Sequence, residues 1–175
     1  MKILALDTST EYLSLALWLD GEIFTRDLLA GQTHSQRILP LLGELLEEAK
    51  ITSGDLEGIA FGAGPGSFTG LRIGCGVAQG LAFGANLPVV GVSTLLALAA
   101  NSGSDWVVAC LDARMGEVYL AAYAKNGADW DEISPPGLYK PDAVPSVAGN
   151  GWVGTGSGWA TYAEQLKACY GEQIA

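Results

Sequence analysis

The 175-residue chain is 49% apolar and only 16% charged, a composition that excludes a disordered, solvated tail and suits one compact domain or two small lobes. Nineteen acidic residues against nine basic ones give a net charge of −10. The basic residues never cluster, so the phosphate neutralisation behind nucleic-acid affinity has no obvious source, and no run of roughly 18 apolar residues is present to cross a membrane.

The opening Met1-Lys2-Ile3-Leu4-Ala5-Leu6-Asp7 reads as a buried strand, because an acid stands where an export signal would continue its apolar run. Tyr12 to Leu19 predicts a second strand and Ile23 to Leu29 a third, joined by the hairpin turn Asp20-Gly21. Thr33 is placed to cap a helix running to about Lys50, whose apolar positions Ile38, Leu41, Leu42, Leu45, Leu46 and Ala49 follow helical spacing. Pro40 lies inside that pattern and predicts either a kink or the true start. A strand from about Glu57 to Gly62, a Gly-rich turn, a helix from Ser67 to Ala85, a strand at Pro88 to Val92 and a helix capped by Ser93 or Thr94 come next.

Near Asn101-Ser102-Gly103-Ser104 the composition turns loop-like, which sets the expected lobes at residues 1–102 and 103–175. The order then restarts. Trp106 to Leu111 and Glu117 to Ala124 read as strands, with Asn126-Gly127 turning into a third. A Pro-rich loop leads to a short helix near Asp142, a strand around Gly151 to Val153 and a last helix from Trp159 to Cys169. Both halves thus share one order of elements without a sequence repeat.

The sharpest local signal is the run Gly62-Ala63-Gly64-Pro65-Gly66-Ser67-Phe68-Thr69-Gly70-Leu71-Arg72-Ile73-Gly74. Amides at such a helix start could hold an anion, or the glycines could simply allow close packing. The run is neither a Walker loop nor a dinucleotide fingerprint. Its helix carries Gly70, Gly74, Gly76, Gly80 and Gly84, which together cost about 4–5 kcal/mol of helix propensity relative to alanine. All five fall within one arc of roughly 160°, shared with Ile73, Val77 and Leu81. A stripe without side chains lets another backbone approach, from this chain or from a second one.

Asp7-Thr8-Ser9 after the first strand could hold a metal or phosphate, or could be a turn whose side chains cap backbone amides. Gly154-Thr155-Gly156-Ser157-Gly158 imitates a phosphate loop but reads as a plain strand-to-helix turn. His34, the single histidine, reads as a hydrogen-bonded structural residue, and Asp112-Ala113-Arg114 as either a functional loop or a turn closed by an ion pair. Cys75, Cys110 and Cys169 have no metal-ligand spacing and read as small buried hydrophobes.

Taken together, Met1 to Ser9, Gln32-Thr33-His34-Ser35-Gln36 with Leu39-Pro40, the Gly62 to Gly74 run, and Asp112-Ala113-Arg114-Met115-Gly116-Glu117-Val118-Tyr119 resemble the TsaB (YeaZ) family. The resemblance implies an α/β, actin-like (ASKHA) fold of two ribonuclease-H-like lobes. It also implies a cytoplasmic, non-catalytic, cofactor-free partner of a TsaD-like catalytic subunit and a TsaE-like small ATPase. That complex transfers a threonylcarbamoyl group to the adenosine beside the tRNA anticodon; tRNA would meet this chain only through the complex, and the chain alone would form a homodimer. Aligned through Leu87 to Val92, the two metal-binding histidines of the catalytic relative fall on Thr94 and Leu98, and leucine cannot ligate a metal. Its phosphate loop corresponds to Asp112 to Gly116, where an acid and two long side chains would repel a nucleotide. Asp7, Thr8 and Ser9 are then vestigial nucleotide-site candidates.

The expected association surface combines Leu39, Leu42 and Leu46 of the first helix with Gly70, Ile73, Gly74, Val77, Gly80 and Leu81 of the second. The family's closing elements would come after Gly171 to Ala175, so the second lobe is expected to be truncated. The competing reading is an independent phosphotransferase or metallopeptidase of the same fold, which would need an intact phosphate cradle or metal ligands.

Overall fold

Alternating burial organises the first sheet of the computed structural model, which describes residues 1–174. β1 (Lys2–Asp7), β2 (Tyr12–Leu19) and β3 (Glu22–Leu29) form an antiparallel meander, with Asp20 and Gly21 at positive φ in the first hairpin turn. Successive side chains of a strand point to opposite faces, so Leu13, Leu15 and Leu17 of β2 all enter the core while Tyr12 and Trp18 stay on the other side. After α1 (His34–Glu48), β4 (Gly58–Gly64) pairs parallel to β1. α2 (Phe68–Ala85) and β5 (Val89–Ser93) complete the sheet order β3-β2-β1-β4-β5. α1 and α2 supply Ile38, Leu42, Leu45, Ala78 and Ala82 to the core that β1, β2 and β4 share.

Two details of α1 depart from expectation. Thr33 does not cap the helix; its hydroxyl donates to the Ala30 carbonyl at 2.7 Å, closing the preceding turn instead. Pro40 is not the start, since α1 runs through it. The residue is exposed, so the missing N–H lies on the solvent side, where losing a helical bond costs least.

The second unit begins at Ser93, the first ending at Val92. It comprises α3 (Thr94–Asn101), β6 (Trp106–Arg114), β7 (Glu117–Asn126), β8 (Asp129–Tyr139), β9 (Val153–Thr155), α4 (Ser157–Thr161) and α5 (Ala163–Tyr170). Its sheet order is β8-β7-β6-β9, again a three-strand antiparallel meander with a later strand parallel to the first. β6 is covered on both faces: Val107, Ala109 and Leu111 meet Leu95 and Ala99 of α3, while Val108 and Cys110 meet Trp152, Leu166 and Tyr170. Those contacts assign α3 to the second unit, so the units divide ahead of the loop at 101–104, where composition alone set the boundary.

Two further expectations change here. The Pro-rich stretch is not a loop but part of β8, which tolerates Pro135 and Pro136 because it is the edge strand and because register shifts opposite Leu120 to Tyr123 bulge it there. The segment near Asp142 is a turn, not a helix, and the last helix breaks at Tyr162 into α4 and α5.

Candidate functional site

The turn after β1 is built from its own side chains and then closed by α2. One oxygen of Asp7 (Oδ1) accepts the backbone N–H of Ser9 at 2.7 Å and its hydroxyl at 2.6 Å, which is an Asx turn. Thr8, 2% exposed, donates its hydroxyl to the Gly70 carbonyl at 2.7 Å, and the Ser67 N–H donates to the Ser9 carbonyl at 2.7 Å. Ser67 also caps α2 by accepting from the Gly70 N–H at 3.3 Å. A Cβ at Gly70 would overlap the Thr8 carbonyl oxygen, one at Gly66 would sit 2.5 Å from the Ser9 carbonyl oxygen, and one at Gly74 would sit 2.6 Å from the Thr8 hydroxyl. These three glycines therefore let the start of α2 lie against the end of β1 with no side chain of their own between. The vestigial candidates Asp7, Thr8 and Ser9 are thus tied into this packing through their own hydrogen bonds.

The other glycines of the same helix behave differently. A Cβ at Gly76, Gly80 or Gly84 would meet nothing within 4 Å. The arc read from the sequence splits at this point: one flank, with Gly70 and Gly74, faces the chain's own β1, and the other is open. Val77 lies between the flanks, Ile73 falls among the open glycines and Leu81 beside Gly70 and Gly74, and all three are partly buried against the core. On the open side Phe83 is 93% exposed; Phe68, at the first position of the helix, is exposed with the Arg72 guanidinium 3.9 Å above its ring. Neither aromatic belongs to the surface expected from the sequence. Phe83 could have been found, because it falls seven residues beyond Gly76 and three beyond Gly80, on the face those two glycines share.

On α1 the three leucines separate. Leu39 is 56% exposed, Leu46 is partly buried, and Leu42 is a core residue at 4% exposure, so it does not belong to an exposed face. His34 is buried at the helix start with Nε2 hydrogen-bonded to the Tyr12 carbonyl at 3.2 Å, tying α1 to β2 as a structural residue would.

In the second unit, Asp112 to Gly116 forms the β6–β7 hairpin. Arg114, Met115 and Gly116 all have positive φ, and the Asp112 carboxylate accepts the Arg114 N–H at 2.8 Å. The Arg114 guanidinium, 3.5 Å from that carboxylate, is 80% exposed, so the pair closes a turn with little energy of its own. The Tyr162 hydroxyl donates to Asp112 at 3.4 Å; burial, then the Asp112 charge, raise its pKa above the ordinary tyrosine value. Gly156 and Gly158 repeat the role of Gly66 and Gly70: added Cβ atoms would overlap the Cys110 carbonyl oxygen and the Cys110 sulfur respectively. The Cys110 thiol is pushed up to about 12 by burial, with Asp112 adding to the shift, so it is an inert core group. Thr94 is buried at the start of α3, and Leu98, one turn further on, is partly buried against the α3–β6 core. Among the described residues no three of His, Cys, Asp and Glu converge as metal ligands, and no helix is long and apolar enough to cross a membrane.

Residues 28–154 match a protein-family model described as TsaD, tRNA N6-adenosine threonylcarbamoyltransferase. The tRNA threonylcarbamoyladenosine biosynthesis protein TsaB of Escherichia coli is 44% identical over 177 residues, covering 95% of this chain and 76% of that protein. The protein of the same name from Haemophilus influenzae is 40% identical, covering 94% of this chain and 75% of its own length. Among solved structures, YeaZ from Pseudomonas aeruginosa superposes with a TM-score of 0.86 at 41% identity, covering 94% of this chain and 79% of that one. The two sheets with their shared strand order carry the α/β, actin-like arrangement, and with likeness of this extent the chain belongs to the TsaB (YeaZ) family.

Proposed function

We propose that this chain is a non-catalytic, activating subunit of the machinery that installs threonylcarbamoyl on the adenosine beside the tRNA anticodon, acting by pairing with a TsaD-like catalytic subunit. Family membership puts the chain in tRNA threonylcarbamoyladenosine biosynthesis; the subunit role goes further. The observation that carries it is the open flank of α2. Helix propensity disfavours Gly76, Gly80 and Gly84, and no packing among the described residues accounts for them, which leaves a backbone from another molecule as the group that needs the space. Phe83 and Leu39, exposed apolar residues on α2 and α1, suit the same partner. α1 and α2 from each of two chains then pack as four helices. The association surface is centred on Gly76, Gly80 and Phe83, with Leu39 and Leu46 beside it, whereas Gly70, Gly74 and Leu42 support it from inside.

Thr94 and Leu98 stand where the catalytic relative has its metal-binding histidines, so the chemistry is assigned to that partner. ATP hydrolysis is assigned to a TsaE-like ATPase in the same cytoplasmic complex. With a net charge of −10 the chain leaves tRNA binding to the assembly, and alone it occupies its own surface as a homodimer. The test is a pull-down of a TsaD-like subunit with wild type and Gly80→Arg, alongside size-exclusion chromatography of the chain alone. The variant is expected to remain folded, become monomeric and lose the partner. A folded Gly80→Arg that still binds places the surface elsewhere. Tight ATP binding by calorimetry, or stoichiometric zinc or iron in the purified chain, favours the independent-enzyme alternative.

A further inference from the structure

We propose that residues 140–151 and 169–174 form a latch, two segments that open and close together while the sheet of the second unit stays intact. The stretch 140–151 carries no helix or strand, and among the described residues its one internal backbone bond joins the Ala143 N–H to the Lys140 carbonyl at 3.0 Å. Its backbone is held by side chains. The Tyr170 hydroxyl donates to the Pro145 carbonyl at 2.8 Å, the Gln173 amide (Nε2) to the Val147 carbonyl at 2.7 Å, and the Trp152 indole to the Ala148 carbonyl at 3.0 Å. The Cys169 thiol lies 3.7 Å from the Pro141 carbonyl, a weak contact of the same kind.

Three of these four donors come from residues 169–173. The dependence is mutual. Val147, Trp152 and Tyr170 share one buried cluster, with Val144 and Ile174 packed against it, so the 169–174 segment rests on the stretch it holds. The Trp152 N–H donates to the Gln173 carbonyl at 2.9 Å, and Ile174 makes a parallel bridge to Trp152, fixing that segment at the same place. Releasing either segment strips the other of its partners, which is the condition for one cooperative opening unit. The β6–β7–β8 ladder does not pass through either segment and need not break when they part. Tyr170 fits a lasting donor role, because burial raises its hydroxyl's pKa well above the tyrosine range and keeps the proton in place.

Hydrogen exchange monitored by mass spectrometry on the full chain tests the latch. Tyr170→Phe and Gln173→Ala each remove one donor and are expected to raise exchange at the bonded amides of the first segment and its border, Ala143 and Trp152, by roughly two- to tenfold, the range of one net hydrogen bond, with β6 and β7 unchanged. Val147→Ala is the reciprocal variant and is expected to raise exchange at 169–174. Ser102→Ala, which removes a bond to the Ala99 carbonyl at the end of α3, is expected to leave both segments as they were. Exchange that rises only at the mutated segment, or that rises through β6 and β7 as well, overturns the proposal. So does a Ser102→Ala effect on 140–151 as large as that of Tyr170→Phe.

Discussion

The two units solve one packing problem twice. In each, a helix start comes down on the first strand, at the end of β1 and at Cys110 within β6, and glycines keep the helix's own side chains out of the contact. In the first unit Gly66, Gly70 and Gly74 meet Thr8 and Ser9; in the second Gly156 and Gly158 meet Cys110. The units differ beyond that contact. α4 has five residues and ends once the contact is made, whereas α2 continues for 18 residues and carries three more glycines that meet nothing. Glycine thus means two things in one helix, internal closeness near its start and external smoothness beyond.

The largest effect should come from placing the same charged side chain on the two flanks. Gly74→Arg must push into the Thr8 hydroxyl and the core near Leu6, and is expected to cost several kcal/mol, about 4 or more, by chemical denaturation. Gly80→Arg meets open space, and its cost to the isolated fold should stay under about 1 kcal/mol because a surface helical site tolerates arginine. Equal destabilisation by the two would erase the distinction between the flanks.

Next in size is the close contact that the units share. Gly70→Ala and Gly156→Ala each drive a methyl group onto a backbone carbonyl oxygen, which cannot rotate away as a side chain can, so each is expected to cost about 3 kcal/mol. Gly156 also has a φ of 103°, a strain on any other residue that adds to the overlap. A Gly70→Ala melting curve within a degree or two of wild type would mean that α2 approaches β1 less closely than the Thr8 contact requires. Smaller again is Thr8→Val. It keeps the volume but deletes the donor to the Gly70 carbonyl, for an expected loss of about 1–2 kcal/mol. Loss of fold would show that the hydroxyl matters beyond that one bond.

Much of this was legible in the residues. The strand-and-helix order, the Asp20-Gly21 hairpin and the glycine cost of α2 arise from local chemistry, and the family resemblance rests on contiguous motifs. Other features depend on partners distant in sequence. The five helix glycines fit one arc, and only the position of Thr8 separates Gly70 and Gly74 from the rest. Leu42 and Leu39 share apolar character, and only the sheet beneath α1 decides which is buried. Pro135 and Pro136 signal a loop until β8 is known to be an edge strand with bulges. The place of α3 depends on distant partners in the same way: the loop at 101–104 is a real break in composition, yet Leu95 and Ala99 before it pack on β6 and β7.

The smallest expected effect is the most discriminating, because its sign changes along one helix. Gly76→Ala adds a methyl group where nothing lies within 4 Å, so alanine's helix propensity acts unopposed and the isolated chain should gain about 0.5–1 kcal/mol. A helix glycine that can be replaced with a gain in stability serves something other than the fold. If that service is partner approach, the same variant should bind a TsaD-like subunit more weakly than wild type, since the methyl group would separate two backbones by part of an ångström. Stability measured by denaturation and affinity measured by calorimetry should then move in opposite directions. Gly76→Ala that stabilises and binds unchanged would show that the open flank needs no close approach at this position, and would move the contact toward Phe83. A variant that destabilises would contradict the empty space around Gly76 itself.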